Sequence, residues 1–368
     1  MSVWQIISLG DAATFINGHA FKPEDWSDEG KEIIRIQNLT KSSKEVNYFK
    51  GRLSDRYKVK KGDLLISWSA TLGIYEWTGK DAWLNQHIFK VQFDKKAFDK
   101  SFFRYLIQHS LNEMGREVHG STMKHITKKR FDKFKIPYPP LELQKRIAQA
   151  LYKADAIRQR NHQILQKYDQ LAQSLFLDMF GDPVRNEKGW NVISFEKVAK
   201  NENSKRVPVK QADRDSREGA FPYYGATGII DTIDDYRFDG EYLLIAEDGK
   251  NLLFRRKNNA FIAKGKFWVN NHAHVLSYNG VAELEYLEYL INAYDLTPFV
   301  TGIDQFKLNK NNLEKIPVPL PPLELQKKFS TIVEKIEAIK LNAQKELAES
   351  ETLYQSLLQK AFSGELFD

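Results

Sequence analysis

The chain has 368 residues, a length that exceeds one compact core and predicts two or more domains. Hydrophobic residues make up 42% and charged residues 28%, which is typical of a folded globular protein and argues against a disordered one. The formal net charge of +7 is compatible with a nucleic-acid partner. The chain has no cysteine, which excludes disulfides, zinc–thiolate sites, iron–sulfur clusters and cysteine nucleophiles.

The beginning of the sequence has neither the charged region nor the apolar run of a signal peptide. No segment approaches the roughly 18 consecutive apolar residues that a membrane helix needs. We therefore expect a soluble, cytoplasmic protein without a membrane partner.

Positive charge is unevenly distributed along the chain. Residues 1–140 contain 24 Lys and Arg against 16 Asp and Glu, whereas residues 181–322 contain 19 against 20. If both segments bind DNA, the second must use a local basic patch rather than a general positive field.

Residues 1–133, the first head, alternate short β-type runs with turn residues. Runs at 32–36, 63–66 and 87–93 predict strands, and the apolar spacing over 102–112 predicts a helix. The first head therefore predicts an α+β fold with an irregular, curved sheet.

A proline-rich segment leads into residues 141–179, which contain neither proline nor glycine. Prolines favour extended backbone, so this segment predicts a stiff joint. In the following residues, apolar positions alternate in spacing between three and four, the heptad pattern of a coiled coil. A helix of about 38 residues would be roughly 57 Å long.

A Gly-Asp-Pro segment ends this helix, and a second head follows at residues 190–312. Runs at 242–246 and 274–276 predict strands, and 285–293 predicts a helix. A second proline-rich segment and a second long helix follow, the helix beginning near Leu323.

The chain is an internal duplication. The segment FKIPYPPLELQKR at 134–146 returns as IPVPLPPLELQKK at 316–328, an offset of 182 residues. The heads match more loosely, as in Trp-Leu-Asn-Gln-His at 83–87 and Trp-Val-Asn-Asn-His at 268–272. One scaffold with two diverged heads suggests two different targets; a duplication without functional consequence is the alternative.

A single helix of this length would leave its apolar stripe in water, whereas two can cover each other. Duplicated units are commonly related by a twofold axis, which would make the helices antiparallel. We therefore predict an α+β protein whose two heads are joined by two long antiparallel coiled-coil helices with pseudo-twofold symmetry. Asn161 either fixes the register of the coiled coil or is a solvated end residue. The predicted coiled-coil seam consists of Ile147, Ala154, Ile157, Ile164, Leu171, Phe329, Ile336, Ile339 and Leu353.

Several loops of both heads combine small, polar and aromatic residues. Asn and Gln suit adenine, Arg and Lys suit guanine, Ser and Thr suit either base, and Lys, Arg and Ser also bind phosphates. Polar loops are more often simply solvated, so the stronger signal is the position that recurs before each proline-rich segment, at Gly120 and Gly302. The candidate DNA-binding residues of the first head are Lys22, Asn38, Ser69, Thr71, Asn85, Gln86, His87, Ser121, Thr122, Lys124 and His125. Those of the second head are Tyr224, Thr227, Lys250, Asn251, Asn271, His272, Asp304, Gln305 and Lys307.

The sequence contains no recognisable catalytic motif. A phosphate-binding loop for ATP and an Asn-Pro-Pro-aromatic segment of the kind found in adenine methyltransferases are both absent. His272 and His274 lie two apart, but a metal site needs three or four convergent ligands, so packing or hydrogen bonding is the preferred interpretation. We predict no catalytic residue, metal ligand or cofactor in this chain.

Together these features resemble the type I restriction–modification specificity subunit. The resemblance rests on the duplicated proline-rich phrase followed by Leu-Glu-Leu-Gln-Lys and a long helix, and on Met-Phe-Gly-Asp-Pro at 179–183. Segments 34–39 and 223–228 resemble the target-recognition domains of that family. The residue before the glutamine is usually acidic in the family but is leucine here, at Leu143 and Leu325.

The resemblance implies that each head reads one half of a bipartite, asymmetric DNA site. The antiparallel helices would set an unread spacer, with half-sites about one helical turn, roughly 34–36 Å, apart. Two modification subunits would dock on the helices, bind S-adenosylmethionine and methylate a flipped adenine in each half-site. Restriction subunits that use ATP and Mg²⁺ are a further pair of partners where the system has them. This chain would itself be non-catalytic.

The same resemblance divides the chain into target-recognition domain 1 at 1–136, a helical spacer at 137–182, target-recognition domain 2 at 183–318 and a second helical spacer at 319–368. Two other functions stay open: a DNA-binding regulator or adaptor without methyltransferase partners, and an enzyme with an unrecognised active site. Co-purification with methyltransferase subunits favours the specificity subunit, whereas activity of the isolated chain favours the enzyme.

Overall fold

The computed structural model describes residues 4–117 and 126–367. Its contacts divide the chain into a first unit, residues 1–161 with 346–368, and a second unit, residues 162–345. Each unit therefore combines one head with portions of both long helices. The four-part division along the sequence stays a prediction.

The first unit holds the elements of the first head. Its strands are β1 (Gln5–Ser8), β2 (Thr14–Asn17), β3 (Lys31–Ile34), β4 (Asn47–Phe49), β5 (Lys58–Val59), β6 (Leu64–Ser67), β7 (Gly73–Glu76), β8 (Ala82–Leu84), β9 (Ile88–Gln92) and β10 (Lys135–Tyr138). Its helices are α1 (Leu9–Ala12), α2 (Ile36–Leu39), α3 (Lys100–Glu117), α4 (Lys128–Lys133) and the first part of α5 (Leu141–Phe180). Residues 23–25 and 55–57 form short 3₁₀ helices.

Two four-stranded sheets form the first head, with strand orders β2-β9-β6-β7 and β4-β3-β8-β5. All four residues of β6 are buried, and its first three, Leu64, Leu65 and Ile66, are apolar without alternation. A core of aromatic side chains joins the first sheet to α3 and α4, including Phe15, Phe89, Phe103 and Phe131. This packing holds β6 in place, since Leu64 and Ile66 belong to the same core.

The second unit holds the second head. Its strands are β11 (Asn191–Ser194), β12 (Ala199–Asn201), β13 (Phe221–Gly225), β14 (Gly228–Ile233), β15 (Phe238–Ala246), β16 (Ala260–Val269), β17 (Ala273–Tyr278) and β18 (Pro317–Leu320). Its helices are the rest of α5, then α6 (Gln211–Arg214), α7 (Asn251–Phe254), α8 (Leu284–Ala293), α9 (Lys310–Glu314) and the first part of α10 (Leu323–Ser363). Residues 195–197, 203–205 and 297–299 form 3₁₀ helices.

A six-stranded sheet of order β12-β17-β15-β16-β13-β14 forms the second head. Its parallel pair places Tyr223 of β13 opposite Trp268 of β16. The first head has the matching parallel pair, with Ile33 of β3 opposite Trp83 of β8. The two heads therefore share this local geometry, although the sheets around it differ.

Both proline-rich segments form strands in two-stranded antiparallel ribbons. Pro137 of β10 lies opposite Ile6 of β1, and Pro319 of β18 lies opposite Val192 of β11. Proline is tolerated there because a two-stranded ribbon leaves one edge of each strand unpaired. The chain thus enters each long helix from a fixed strand.

The two long helices run antiparallel where they meet within each unit. In the first unit, Arg158 of α5 lies 3.5 Å from Glu351 of α10, and Asn161 donates to Ser350 at 3.2 Å. In the second unit, Lys340 of α10 lies 2.7 Å from Asp169 of α5. The prediction of an α+β fold with long helices is confirmed, and Asn161 bonds across the helix pair. No helix in the described ranges combines the length and apolarity needed to cross a membrane.

The predicted seam is wrong for four of its residues. Ile157, Leu171, Ile339 and Leu353 are exposed by 52%, 52%, 47% and 51%. Ile164 is partly exposed, and the other four members, Ile147, Ala154, Phe329 and Ile336, are buried. The heptad assignment failed because each helix also packs on the heads. On α5, Ile147 joins the core of the first head and Phe176 that of the second. On α10, Ala361 joins the core of the first head and Phe329 that of the second.

Candidate nucleic-acid interface

In the first head, the loops after β6 and β8 meet at Trp68 and His87. The Trp68 N–H donates to the His87 carbonyl at 3.2 Å, and the two rings lie 4.9 Å apart. The Trp68 indole N–H donates to Asn17 Oδ1 at the end of β2, at 3.3 Å. Two of the predicted recognition loops, 68–71 and 85–87, are therefore neighbours.

The turn at 85–87 is tightly held. The Gln86 N–H donates to the His19 carbonyl at 2.8 Å, and a Cβ on Gly18 would lie 1.9 Å from the Asn85 carbonyl oxygen. His87 has φ +71°, which is strained for a residue with a side chain, and its buried Nδ1 has no hydrogen-bond partner within the described ranges. Asn85, Gln86 and His87 are all partly exposed. A fixed backbone thus presents three polar side chains.

The other described candidates of this head lie near the turn or are engaged elsewhere. Ser69 is partly exposed and Thr71 is exposed, both in the Trp68 loop, whereas the exposed Lys22 lies 3.7 Å from Glu24. Asn38 is a poor base reader as it stands: its Oδ1 accepts the Arg35 N–H at 3.0 Å and its Nδ2 donates to the Glu45 carbonyl at 2.7 Å. The first bond caps the beginning of α2, and the second holds the loop after it.

Four predicted residues, Ser121, Thr122, Lys124 and His125, lie outside the described residues. The chain is described again from Ile126, whose N–H donates to the Trp68 carbonyl at 3.1 Å. Ile126 therefore lies beside the loop that contains Ser69.

In the second head, three predicted loops are joined by backbone hydrogen bonds. The Glu247 N–H donates to His272 at 2.8 Å, the Gly249 N–H to Phe306 at 2.9 Å, and the Leu308 N–H to Glu247 at 2.7 Å. These bonds bring together 247–250, 270–272 and 301–307, a group we call the second-head loop cluster.

The loop 301–307 contributes exposed side chains to this cluster. Asp304 and Gln305 are exposed, and Ile303 between them and Gly302 is 90% exposed. Gly302 has φ +93°, and a Cβ there would lie 2.1 Å from the Gln305 carbonyl oxygen. The recurring glycine is therefore required by the turn in the second head.

A buried carboxylate anchors the second-head loop cluster. Glu247 Oε2 accepts from Arg206 at 2.7 Å, and Glu247 Oε1 lies 3.2 Å from the ammonium of Lys307. Burial alone would raise the pKa of Glu247, but the Arg206 hydrogen bond and the nearby positive charges lower it below its usual value. An ionised Glu247 thus fixes Lys307 at the base of its loop.

His272 and its neighbour Asn271 occupy the place that Gln86 and His87 have in the first head. Both are exposed, and His272 Nδ1 lies 2.7 Å from Asp248 Oδ2. The corresponding strands, β16 and β8, carry the paired Trp268 and Trp83. The two heads therefore share the His of this turn and differ at the position before it, which is Gln86 in the first head and Asn271 in the second.

Two predicted residues of this head make contacts within the fold. Tyr224 packs against Phe261 and Phe267, with ring centroids 5.6 and 5.4 Å away. Asn251 bonds to Lys257 and to Asn259, at 2.9 and 2.7 Å through its Nδ2. Lys250 is an exposed member of the cluster, and Thr227 is partly exposed in the turn between β13 and β14.

His274 is a hydrogen-bonded core residue. Its Nε2 donates to the Leu308 carbonyl at 2.7 Å, and its Nδ1 accepts from Asn203 at 2.8 Å. This pattern requires the neutral ring, and burial lowers the pKa of His274 accordingly. No group of His, Asp or Glu within the described ranges could hold a metal ion.

Sequence reasoning missed several residues that shape these surfaces, namely Asn17, His19 and Arg206, and it did not predict the anchoring role of Glu247. Arg206 and Glu247 are 41 positions apart and no periodicity connects them. The available signal was Glu247 itself, a charged residue directly after the apolar run of β15.

The family model described as the type I restriction modification DNA specificity domain matches residues 1–168 and 187–350. The chain belongs to this family. The two matched regions of the specificity family correspond to the two halves of the duplication.

Known specificity subunits match parts of the chain. A Haemophilus influenzae protein provisionally named as a type I restriction enzyme specificity subunit is 36% identical over 154 residues, 42% of this chain and 38% of that protein. The EcoBI specificity subunit of Escherichia coli is 27% identical over 178 residues, 47% of this chain and 37% of that protein. The chain thus spans little more than a third of the length of these two relatives.

Solved structures share the fold. The S subunit of a type I restriction–modification system from M. genitalium has a TM-score of 0.59 at 17% identity, covering 98% of this chain and 96% of that one. A chain from work on assembly and conformational transition of the type I R-M system has a TM-score of 0.57 at 15% identity, covering 100% and 99%. At these identities the likeness concerns the fold alone.

Proposed function

We propose that this chain is the DNA-recognition subunit of a type I restriction–modification complex and that each head reads one half of a bipartite, asymmetric site. One observation carries the proposal: equivalent turns after β8 and β16 share an Asn and a His but present Gln86 in one head and Asn271 in the other. The loops beside these turns also differ, with Ser69 and Thr71 in the first head and Gln305 and Lys307 in the second. The same frame with different polar side chains fits two different base sequences.

In the first head, direct base reading falls to Gln86, Asn85 and His87, with Ser69 and Thr71 beside them. Gln and Asn make paired hydrogen bonds to adenine, and the general excess of Lys and Arg in this head supplies phosphate contacts. In the second head, Asn271, His272, Gln305 and Lys307 take the corresponding roles.

The second head needs its own phosphate-binding patch because its segment has no net positive charge. Lys250, Arg256 and Lys257 are exposed close together in sequence around α7, and none pairs with a carboxylate within the described ranges. These three residues are the local basic patch that the charge distribution demands.

We assign the catalytic steps, methylation and DNA cleavage, to partner subunits. The long helices leave apolar side chains in water: Tyr152, Ile157 and Leu353 in the first unit, and Leu171, Ile339 and Leu341 in the second. Large contiguous apolar patches mark protein interfaces, and we propose that these side chains form such a patch in each unit. We assign them to two methyltransferase subunits, which bind S-adenosylmethionine and methylate adenine, with ATP-dependent restriction subunits joining where present.

Methylome sequencing tests this function. Cells carrying the gene together with its methyltransferase partner should gain adenine methylation at one split motif, which disappears when the gene is deleted. The purified chain should also retain methyltransferase subunits during purification. Gene-dependent DNA binding without any retained methyltransferase would instead favour a regulator or adaptor.

A further inference from the structure

The second unit contains a cavity of about 730 Å³ whose lining includes no residue of the second-head loop cluster. Its walls come from the head strands β13 and β16, from α8 and from both long helices. The volume lies within the range of roughly 300–1,000 Å³ that is typical of small-ligand pockets.

Glu288 of α8 lines this cavity without a partner for its carboxyl group. It makes no hydrogen bond or ion pair to any described residue, whereas the two lysines of the cavity are occupied. Lys340 lies 2.7 Å from Asp169 and 2.8 Å from Glu337, and Lys264 lies 3.2 Å from Glu241.

The surroundings of Glu288 oppose its ionisation. Burial, followed by the charges of Glu337 and Glu285, raises the pKa of Glu288 to about 8, against the weaker effect of Lys340 and Lys264. A cation beside Glu288 would relieve this unfavourable arrangement.

The rest of the lining suits an organic cation. The rings of Tyr224, Phe261 and Tyr289 form part of the wall, and aromatic faces attract ammonium and guanidinium groups. The side-chain carbonyls of Gln173 and Asn258 are available as hydrogen-bond acceptors within the same wall.

We propose that this cavity binds an organic cation, whose ammonium or guanidinium group pairs with Glu288 and rests against the aromatic rings. The cation is either a free molecule of the polyamine type or an Arg or Lys side chain of a partner subunit. The cation site goes beyond the proposed function, since binding of a small cation is separate from reading DNA. Its first test needs neither DNA nor a partner subunit.

The site is tested by isothermal titration calorimetry, in which agmatine is added to the full-length chain at pH 7 and at pH 9. We expect one molecule to bind and the affinity to rise by about tenfold, because Glu288 ionises through its pKa of about 8 while guanidinium stays charged. The charged or titratable groups around Glu288 are Glu285 and Tyr289 on α8, Tyr224 on β13, Lys264 on β16, Asp169 on α5, and Glu337 and Lys340 on α10.

Two isosteric variants separate the site from general charge effects. Glu288→Gln should lose both the pH dependence and most of the affinity at pH 9. Glu324→Gln removes the same charge from a side chain that is 87% exposed on α10, and it should bind as the wild type does. No saturable binding by the wild type at pH 9, or an unchanged pH dependence in Glu288→Gln, overturns the proposal.

Assembly with the methyltransferase subunit identifies the source of the cation. If a partner side chain fills the cavity, agmatine and Glu288→Gln each weaken assembly. If a free molecule fills it, assembly is unchanged while agmatine still binds. A failure of DNA recognition would leave both readouts intact, so the two proposals fail separately.

Discussion

The side-chain carbonyl of Gln326 accepts the backbone N–H of Glu283, which precedes α8, at 3.0 Å. Gln144 makes the equivalent bond to Asp99, before α3, at 2.9 Å. Both glutamines are fully buried, and each donates to a proline carbonyl, Gln326 to Pro321 at 2.8 Å and Gln144 to Pro139 at 2.9 Å. The glutamine of the duplicated motif therefore fastens each long helix to the helix of its head.

Replacement of these glutamines should destabilise the protein without changing what it reads. Gln326→Leu or Gln144→Leu leaves a buried N–H and a buried carbonyl unsatisfied, which costs about 1–3 kcal/mol of unfolding free energy. Chemical denaturation measures the loss, with the exposed Gln163→Leu on α5 as the control. An unchanged midpoint in both variants would show that the bonds contribute nothing.

The scaffold could be predicted from the sequence because its signals are local. The run without proline or glycine after Leu141 and the 182-residue offset located both long helices, which the structure places at Leu141–Phe180 and Leu323–Ser363. The seam could not be predicted residue by residue. Ile157 and Leu353 satisfy the heptad spacing but are half exposed, since packing on the heads rotates the buried face away from them.

The candidate surfaces were predicted only in part. The loops around Gln86 and His272 stood out because the two heads share Trp-x-Asn-x-His at these places. The side chains of Asn38 and Tyr224 are equally suitable for reading bases, but Asn38 caps α2 and Tyr224 packs within an aromatic cluster. Whether an amide or a ring faces solvent depends on distant partners such as Glu45 and Phe267, which no local pattern identifies.

The buried pair of Glu247 and Arg206 should be needed for the second half-site alone. Glu247→Gln removes the charge that holds Arg206 and Lys307, and we expect a loss of roughly 2–3 kcal/mol in stability. Binding to DNA altered in the second half-site should become less selective, whereas selectivity for the first half-site should persist. The exposed Glu218→Gln serves as the control.

The contribution of Glu247 to stability should depend on pH, and the Glu247→Gln variant measures it. The pKa of Glu247 is lowered below its ordinary value of 4.5, so its stabilising effect is complete above about pH 4.5 and is lost as the pH falls through the folded-state pKa. The stability difference between wild type and Glu247→Gln should therefore be largest near neutral pH and shrink in acid. A difference that grows on acidification would contradict an ionised Glu247.

Base-reading substitutions should act on one half-site at a time. Gln86→Ala in the first head and Asn271→Ala in the second should each cost about 1–3 kcal/mol of discrimination at one position. Competition binding with duplexes altered in either half-site separates the two effects. Loss of selectivity in both halves from either substitution would contradict independent heads.

The basic patch of the second head should contribute to affinity but not to sequence choice. Arg256→Ala combined with Lys257→Ala should weaken binding to all sequences and reduce the salt dependence of log K by up to about two units of slope. Binding measured from low to high salt gives this slope. If the ranking of DNA sequences changes instead, these residues read bases.

We propose that the paired helices fix the spacing between two independently read half-sites. Removing 158–164 from α5 and 347–353 from α10 deletes matched heptads, since Arg158 lies 3.5 Å from Glu351 and Asn161 donates to Ser350 at 3.2 Å. The deletion shortens each helix by roughly 10 Å, the rise of about three base pairs, and turns it by only about 20°.

Methylome sequencing of cells that carry the shortened protein and its methyltransferase partner tests this claim most directly. We predict that both half-site sequences are retained while the unread spacer between them becomes shorter, by up to about three base pairs. Altered half-site sequences with an unchanged spacer, or a single contiguous motif in the wild type, would contradict it.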